Sequence, residues 1–302
     1  MPPRFVSPPR WTLEQLKAGR DHAESVFKQQ RREEGPESFV AVCAEQERFV
    51  RSALEKTNDL LGLTEELLLN YPDIFQVLRY FCGPPISEED LWTLVGGPKF
   101  KRKVPPNFAE ETAAVLSLLV DPVRFPWVEE KRPPLDVERE SAVLATTVLV
   151  GARLLGTKRR GSASSRQEAL VGSVLQAAGF QFDDRSQSIV VLDTLERGRY
   201  SRERVVANAK CDVPVRLRDG RLLAVECKVS NGPKNGWKRV VREVGGKADG
   251  WRGNFGEQVV TAVVLAGTFD VSCLQQAQDK NVVILWEHDL QPLTSFLVEA
   301  AA

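Results

Sequence analysis

The apolar segment Leu222–Val229 carries two charged residues, Glu226 and Lys228, in what is otherwise the pattern of a buried strand. A strand alternates its faces with a period of two residues, so these two side chains point in the same direction, whereas Val225 and Cys227 point to the opposite face. A carboxylate and an amine are costly to bury unless they pair with each other or hold a ligand. The segment therefore predicts a sheet with a charged site on one face.

A second predicted strand, Lys210–Leu217, precedes this segment and contains Asp212. The connection Arg218–Gly220 allows two registers. A two-residue Asp-Gly turn sets Asp212 opposite Cys227, on the wrong face. A three-residue loop, with its glycine in the left-handed conformation as a G1 bulge, sets Asp212 opposite Glu226, about 5 Å away. We expect the bulged register because only this one brings the two carboxylates together.

Two carboxylates beside a lysine favour a site for a hard divalent cation, and Mg²⁺ prefers oxygen ligands in octahedral geometry. Asp212 and Glu226 are the predicted ligands, and the backbone carbonyl of Cys227 is a predicted third. Lys228 is predicted to position or help deprotonate an attacking water and to stabilise developing negative charge. The alternative is a Glu–Lys pair at the end of a sheet, without chemistry.

Glu168 is a further candidate metal ligand, acting directly or through water. It lies near the start of a predicted helix over residues 165–179, where Ser165 and Glu168 also fit a capping box. Both interpretations stay open. A second acidic-x-Lys triplet, Glu129-Glu130-Lys131, stands among prolines and is predicted to be a surface salt-bridge segment.

Basic residues are concentrated around the candidate site, although the whole chain has a formal net charge of zero. Residues 197–252 contain fifteen Lys and Arg against six Asp and Glu, a balance that suits a polyanionic substrate. Five basic residues in or beside the predicted helix Trp237–Val244 are candidates to contact the phosphates or base edges of a nucleic acid: Lys234, Lys238, Arg239, Arg242 and Lys247. Lys238 and Arg242 are four residues apart and are expected on one helical face. The alternative is a solvated cationic face.

The scarcity of histidine excludes several classes of enzyme. The chain has two histidines, which leaves no material for nucleases built on paired histidines or for zinc sites that need several. Its five cysteines show no CxxC spacing, so we expect a reducing cytoplasmic environment without disulfides. The apolar runs are too short to predict a membrane span.

The pattern of predicted helices and strands divides the chain into two regions. Residues 1–160 are predicted to form a mostly helical N-terminal region, a candidate for DNA binding or dimerisation. Residues 161–302 are predicted to form an α/β catalytic domain, in which a mixed sheet is flanked by helices. A break is expected at 156–161. Helix starts are predicted at the pairs Thr12/Gln15, Ser87/Asp90 and Asn107/Glu110.

Three stretches of the chain, taken together, resemble the XamI-type family of type II restriction endonucleases, within the PD-(D/E)XK nuclease superfamily. They are residues 78–87, residues 210–231 continuing to Lys247, and residues 264–269 with 284–288. The resemblance implies that Asp212, Glu226 and Lys228 are the acid, acid and lysine of the superfamily, and that Glu168 is the acid of its first core helix. Cys211 departs from the motif, which usually has proline before the aspartate.

The resemblance further implies Mg²⁺-dependent cleavage of double-stranded DNA at a short specific sequence, leaving 5′-phosphate ends. Such enzymes usually act on palindromes as homodimers, and a separate DNA methyltransferase protects the host. Two alternatives stay open, because a fold does not guarantee an activity. One is a structure-selective DNA repair or recombination nuclease, and the other is a non-catalytic DNA-binding protein.

Overall fold

The computed structural model describes residues 5–97 and 103–301 of the chain, which forms two compact units. One unit contains the residues up to 33 together with those from 159 onward, and the other contains residues 34–158. Helix α8 (Asp136–Ala177) runs through the boundary, so the break expected at 156–161 does not form. Lysine, arginine and leucine are good helix formers and outweigh the isolated glycines there.

The unit of residues 34–158 is helical. Its elements are α2 (Glu37–Lys56), α3 (Glu65–Asn70), α4 (Phe75–Leu78), α5 (Glu88–Val95), α6 (Ala109–Leu118), α7 (Pro126–Glu129) and the first part of α8. As predicted, the Ser87 hydroxyl accepts a hydrogen bond from the backbone N–H of Asp90 at the start of α5. The predicted cap at Asn107 is wrong, because a 3₁₀ turn over Pro106–Phe108 leads into α6 instead.

The other unit contains a six-stranded mixed sheet, which confirms the predicted fold class. Its strands are β1 (Gln181–Phe182), β2 (Arg199–Tyr200), β5 (Val213–Arg216), β6 (Leu222–Asn231), β7 (Val259–Thr268) and β8 (Val282–Trp286), in the order β1-β2-β5-β6-β7-β8. Strands β6, β7 and β8 are parallel, and β5 is antiparallel to both of its neighbours. Helices α11 (Val271–Asp279) and α12 (Gln291–Glu299) follow β7 and β8.

Apolar side chains fill both faces of this sheet. Val225 and Cys227 pack in the core beneath α8 and α12, and Val263 and Leu265 pack beneath the helices of the opposite face. This alternation confirms the predicted direction of Cys227. Because parallel strands are covered on both faces, an ionised side chain on them needs a partner within the protein.

Helix α1 (Leu13–Glu34) belongs to the sheet-containing unit. Thr12 and Gln15 form the predicted capping box, with reciprocal bonds of 2.9 and 3.2 Å between side chain and backbone. Leu16 is buried in the same core as β8, and the indole N–H of Trp11 donates to the carbonyl of Ile284. The N-terminal helix therefore packs with the sheet.

The strand predicted over Lys210–Leu217 is interrupted at Asp212. Residues Arg204–Val206 (β3) and Ala209–Cys211 (β4) form a separate two-stranded ribbon, which turns at Ala207 with a φ of 52°. The sheet resumes with β5, so Asp212 is the single residue between the ribbon and the sheet. This position lets its side chain leave the regular alternation of a strand.

The hairpin between β5 and β6 adopts the bulged register that the sequence predicts. Val213 pairs with Val225 and Arg216 with Leu222, so continuing the register sets Asp212 opposite Glu226. Gly220 has a φ of 98°, in the left-handed region. The three-residue loop therefore sets the register that brings the two carboxylates to one place.

A continuous helical rod connects β6 to β7. It consists of α9 (Pro233–Trp237), a π-helical segment (Lys238–Val244) and α10 (Gly245–Phe255). The helix predicted over Trp237–Val244 is thus the middle of a longer element. Its π winding, with i→i+5 hydrogen bonds, changes the spacing assumed for Lys238 and Arg242.

We expect Gly220→Ala to destabilise the protein by about 1–2 kcal/mol, because alanine is strained at this positive φ. Urea unfolding measures the change. The matched control is Gly253→Ala in α10, where an added Cβ meets no atom within 4 Å; this change should be neutral or stabilising. Equal effects of the two substitutions would contradict the role of Gly220.

Asp183 anchors the ribbon to the sheet. Its carboxylate accepts hydrogen bonds from Arg185 at 2.8 Å and Arg204 at 3.4 Å, and its side chain is 2% exposed. Arg204 belongs to β3 and also donates to the carbonyl of Gln187. The hydrogen bond from Arg185 is the main reason that the pKa of Asp183 falls to about 2.

This lowered pKa predicts acid-sensitive stability. Since the unfolded-state pKa is higher, the stabilisation is complete above that value and is lost as pH falls toward about 2. We expect Asp183→Asn to lower the free energy of unfolding by about 2 kcal/mol at neutral pH. The difference in free energy of unfolding between the wild type and this variant should narrow below about pH 4. Urea unfolding across pH measures this difference. The control is Asp184→Asn, which changes the exposed neighbour. A difference between the wild type and Asp183→Asn that does not change with pH would refute the prediction.

Candidate active site

Asp212 reaches the edge of β6 from the end of the ribbon. Its Oδ2 atom accepts a 2.7 Å hydrogen bond from the backbone N–H of Cys227 and a 3.0 Å bond from Lys228 Nζ. Strand β5 begins only at Val213, so the Asp212 carboxylate satisfies a β6 amide beyond the end of the β5 ladder. The break in the predicted strand therefore places and orients this side chain.

Glu226 lies at the centre of the site, with its side chain 0% exposed. Lys228 Nζ is 2.8 Å from its Oε2 atom, and Lys247 Nζ is 2.8 Å from both Oε1 and Oε2. A buried carboxylate is stable only where charges and hydrogen bonds compensate its lost hydration. Two lysines, one from the strand and one from α10, provide that compensation.

Lys228 bridges the two carboxylates, with Asp212 on one side of its ammonium and Glu226 on the other. Burial lowers its pKa, but the charges of Glu226 and Asp212 outweigh this effect and raise the pKa above the usual value. Asp212, Glu226 and Lys228, predicted from the sequence as one constellation, thus lie together in the structure.

Glu168 lies within α8, far from either end of that helix, so it does not belong to a capping box at a helix start. Its Oε1 atom instead accepts a 2.9 Å hydrogen bond from the Ser164 hydroxyl, one turn earlier. Burial raises the pKa of Glu168, and the negative charge of Asp212 raises it further. Glu168 is therefore close enough to the constellation to interact with it electrostatically.

The Cys227 side chain packs into the core on the other side of β6. Burial raises the pKa of its thiol well above the usual value, so the thiol is a poor nucleophile. What Cys227 brings to the site is its backbone. The N–H donates a hydrogen bond to Asp212, and the carbonyl oxygen is the predicted third metal ligand.

The donor set fits a hard divalent cation in its chemistry. Asp212, Glu226 and Glu168 offer carboxylate oxygens, which suit Mg²⁺ better than softer metals. Within residues 5–97 and 103–301, however, no three His, Cys, Asp or Glu side chains converge as a ready-made metal cluster. The oxygens of Glu226 face lysine nitrogens instead.

A basic cleft of about 290 Å³ opens beside Lys228. Its charged lining consists of Arg31 from α1, Arg159 from α8, Lys228 from β6, and Arg239 and Glu243 from the π-helical segment. Arg31 and Arg159 were not predicted as site residues. Because tertiary packing brings them there from distant parts of the chain, no local pattern indicates them.

The five residues predicted to bind DNA occupy different environments. Lys234, Lys238 and Arg242 are exposed. Arg239 donates a 2.6 Å hydrogen bond to the carbonyl of Val229 and lines the basic cleft. Lys247 lies within the carboxylate constellation rather than on an open basic surface. Sequence analysis missed this contact, because nothing in the spacing of residues 226 and 247 indicates it.

We expect Glu226→Gln to destabilise the metal-free protein by about 3 kcal/mol, because two partly buried ammonium groups then lack their shared carboxylate. Lys247→Met in the same chain should recover part of this loss, since it removes one of the unpaired charges. Urea unfolding in EDTA of the wild type, both single variants and the double variant completes the cycle. Strictly additive effects would contradict the coupling of Glu226 and Lys247.

Within residues 5–97 and 103–301, every helix is too short or too polar to span a lipid bilayer.

Comparisons with known proteins identify the family. The model of the family described as XamI restriction endonuclease matches residues 58–286. The type II restriction enzyme XamI from Xanthomonas campestris pv. amaranthicola is 35% identical over 184 residues, which cover 60% of this chain and 67% of that enzyme. The type II restriction enzyme SalI from Streptomyces albus G is 27% identical over 275 residues, which cover 81% of this chain and 85% of that enzyme.

Among solved structures, the alignment with protein VC1899 from Vibrio cholerae covers 88% of this chain and 58% of the VC1899 chain. The identity is 14% and the TM-score is 0.29. That likeness is too weak to carry an argument. The family match, in contrast, covers most of the chain and includes Asp212, Glu226 and Lys228. The chain therefore belongs to the XamI restriction endonuclease family.

Proposed function

We propose that this protein is a type II restriction endonuclease that hydrolyses double-stranded DNA at a specific sequence, uses Mg²⁺ and leaves 5′-phosphate and 3′-hydroxyl ends. The observation that carries the proposal is the convergence of Asp212, Glu226 and Lys228 beside a basic cleft. Family membership supports the same activity, since the named relatives are type II restriction enzymes.

The basic cleft suits the DNA backbone. Arg31, Arg159, Lys228 and Arg239 outnumber its one acidic residue, Glu243, so the cleft attracts phosphate groups. Ser164 and Asn231 add neutral hydrogen-bonding groups to its lining. Such contacts position a duplex without reading its sequence, which leaves base recognition to other residues.

The groups that would hold Mg²⁺ are Asp212, Glu226, the carbonyl of Cys227 and, directly or through water, Glu168. When bound, Mg²⁺ neutralises phosphate charge and lowers the pKa of a water molecule, which makes that water a nucleophile at neutral pH. The hydrogen bond from Cys227 N–H fixes the orientation of Asp212, and the hairpin register fixes its distance from Glu226.

Lys228 supplies positive charge at the reacting phosphate. Its Nζ already lies against both carboxylates, at the border of the cleft. There the ammonium keeps its proton and stabilises the negative charge that develops on phosphate oxygens during hydrolysis. No covalent intermediate with the protein is required.

Recognition of the DNA falls to surfaces outside the carboxylate site. Exposed Lys234, Lys238 and Arg242 would contact phosphates or bases along the helical rod. The helical unit of residues 34–158 is the candidate for sequence reading or dimerisation, and residues from 159 onward with α1 form the catalytic domain. We further propose a homodimer acting on a palindrome in the cytoplasm, paired with a separate DNA methyltransferase that protects the host.

Incubation of varied plasmid DNA with Mg²⁺ tests the activity. We expect discrete fragments from the wild type and at least about a hundredfold slower cleavage by Lys228→Met, because this variant lacks the charge at the reacting phosphate. The matched control is Lys131→Met, which changes the exposed lysine of the chain's second acidic-x-Lys triplet and should leave cleavage unchanged.

Sequencing of the fragment ends reports the site, the stagger and the terminal phosphate together. Preferential cutting of branched DNA would favour a repair or recombination nuclease instead. Magnesium-independent DNA binding without turnover would favour a non-catalytic DNA-binding protein. Undiminished cleavage by Lys228→Met would refute the assigned role of Lys228.

A further inference from the structure

Lys247 has the surroundings of a bound cation. Its Nζ atom lies 2.8 Å from each carboxylate oxygen of Glu226 and 2.7 Å from the carbonyl oxygen of Lys210. Three oxygens from two strands thus surround one positive charge. Equal distances to Oε1 and Oε2 place this charge where a cation contacts a carboxylate through both oxygens.

Electrostatic compensation explains this contact. The Glu226 side chain is 0% exposed, and Lys228 divides its hydrogen bonds between Glu226 and Asp212. Together the two lysines balance the two carboxylates, so the constellation is neutral without metal. Adding a divalent cation to this neutral set would leave two positive charges in excess, which is unfavourable in a buried site.

Displacement of Lys247 relieves this excess. Without Lys247, the same two carboxylates with Lys228 and one divalent cation leave one positive charge in excess instead of two. Lys247 is also the lysine better placed to leave. Its side chain is 24% exposed and extends from α10, whereas Lys228 is 15% exposed and belongs to the same strand as Glu226.

We propose that Lys247 is an internal counterion, which occupies the cation position on Glu226 in the metal-free protein and is displaced when a divalent cation binds. This inference rests on the metal site of the proposed function. Lys247 is then a positioning residue that holds the Glu226 carboxylate in place, and it competes with the metal for the same oxygens. The site can thus be stable before metal binds and still be able to bind it.

The test measures metal binding by the whole protein without DNA. Mn²⁺ prefers the same oxygen ligands as Mg²⁺, and loss of its free-ion electron paramagnetic resonance signal reports the bound fraction. We expect Lys247→Met to bind Mn²⁺ roughly tenfold more tightly than the wild type, because the competing charge is gone. Lys247→Gln, which keeps a hydrogen-bond donor but no charge, should show the same direction and serves if the methionine variant does not fold.

Thermal unfolding provides a second readout. In EDTA, Lys247→Met should unfold at a lower temperature than the wild type, because Glu226 has lost a counterion. Saturating Mn²⁺ should narrow this difference, because the metal restores the missing charge. A purely structural lysine would leave the difference independent of metal.

Lys280→Met is the matched control. It removes a lysine charge from the same unit, where Lys280 pairs with Asp249 near the surface at 3.3 Å, and should leave Mn²⁺ affinity unchanged. Glu226→Gln identifies the Mn²⁺ binding that belongs to this site. Unchanged or weaker Mn²⁺ binding in both Lys247 variants would overturn the counterion role alone. Absence of any Glu226-dependent binding in the wild type would overturn the metal site itself, whereas the plasmid assay tests the proposed nuclease function separately.

Discussion

A fully buried carboxylate in the middle of a covered sheet is the constraint on which this site depends. Glu226 has no contact with solvent, so its negative charge must be balanced inside the protein. Lys228 and Lys247 provide that balance from two different elements, and Lys228 extends it to Asp212. Strand β6, helix α10 and Asp212, which follows the ribbon, are thereby linked by charge as well as by packing.

The fold brings these elements together through two local departures from regularity. Gly220 adopts a left-handed conformation that fixes the register of β5 and β6, and Ala207, also at positive φ, lies in the turn that folds β3 and β4 into a ribbon separate from the sheet. Asp212 stands between the two departures. A continuous strand through this region would keep its side chain in the pleat, whereas the interrupted chain directs it to the Cys227 amide and to Lys228.

The part of the site that the sequence could predict is the part that depends on neighbours along the chain. Period-two alternation and a three-residue loop predict that Asp212, Glu226 and Lys228 share one face, but they do not predict the break that directs Asp212 to the Cys227 amide. The contact of Lys247 with Glu226 depends on how a rod with a π-helical segment packs on the sheet, which no spacing rule gives. Glu168 was ambiguous for a related reason, since a capping pattern is informative only where a helix begins, and α8 does not begin there.

A second acidic-x-Lys triplet in the same chain shows why the triplet at residues 226–228 depends on its buried surroundings. Glu129, Glu130 and Lys131 repeat the acidic-x-Lys pattern at the end of α7, but all three residues are exposed, and Glu130 pairs with Arg132. Solvent compensates those charges, so they need no fixed partners and gain little from pairing. At residues 226–228 burial removes that compensation, and the same residue types are then fixed in one geometry. Burial on a parallel strand, more than the pattern of letters, therefore distinguishes a preorganised site from a charged surface.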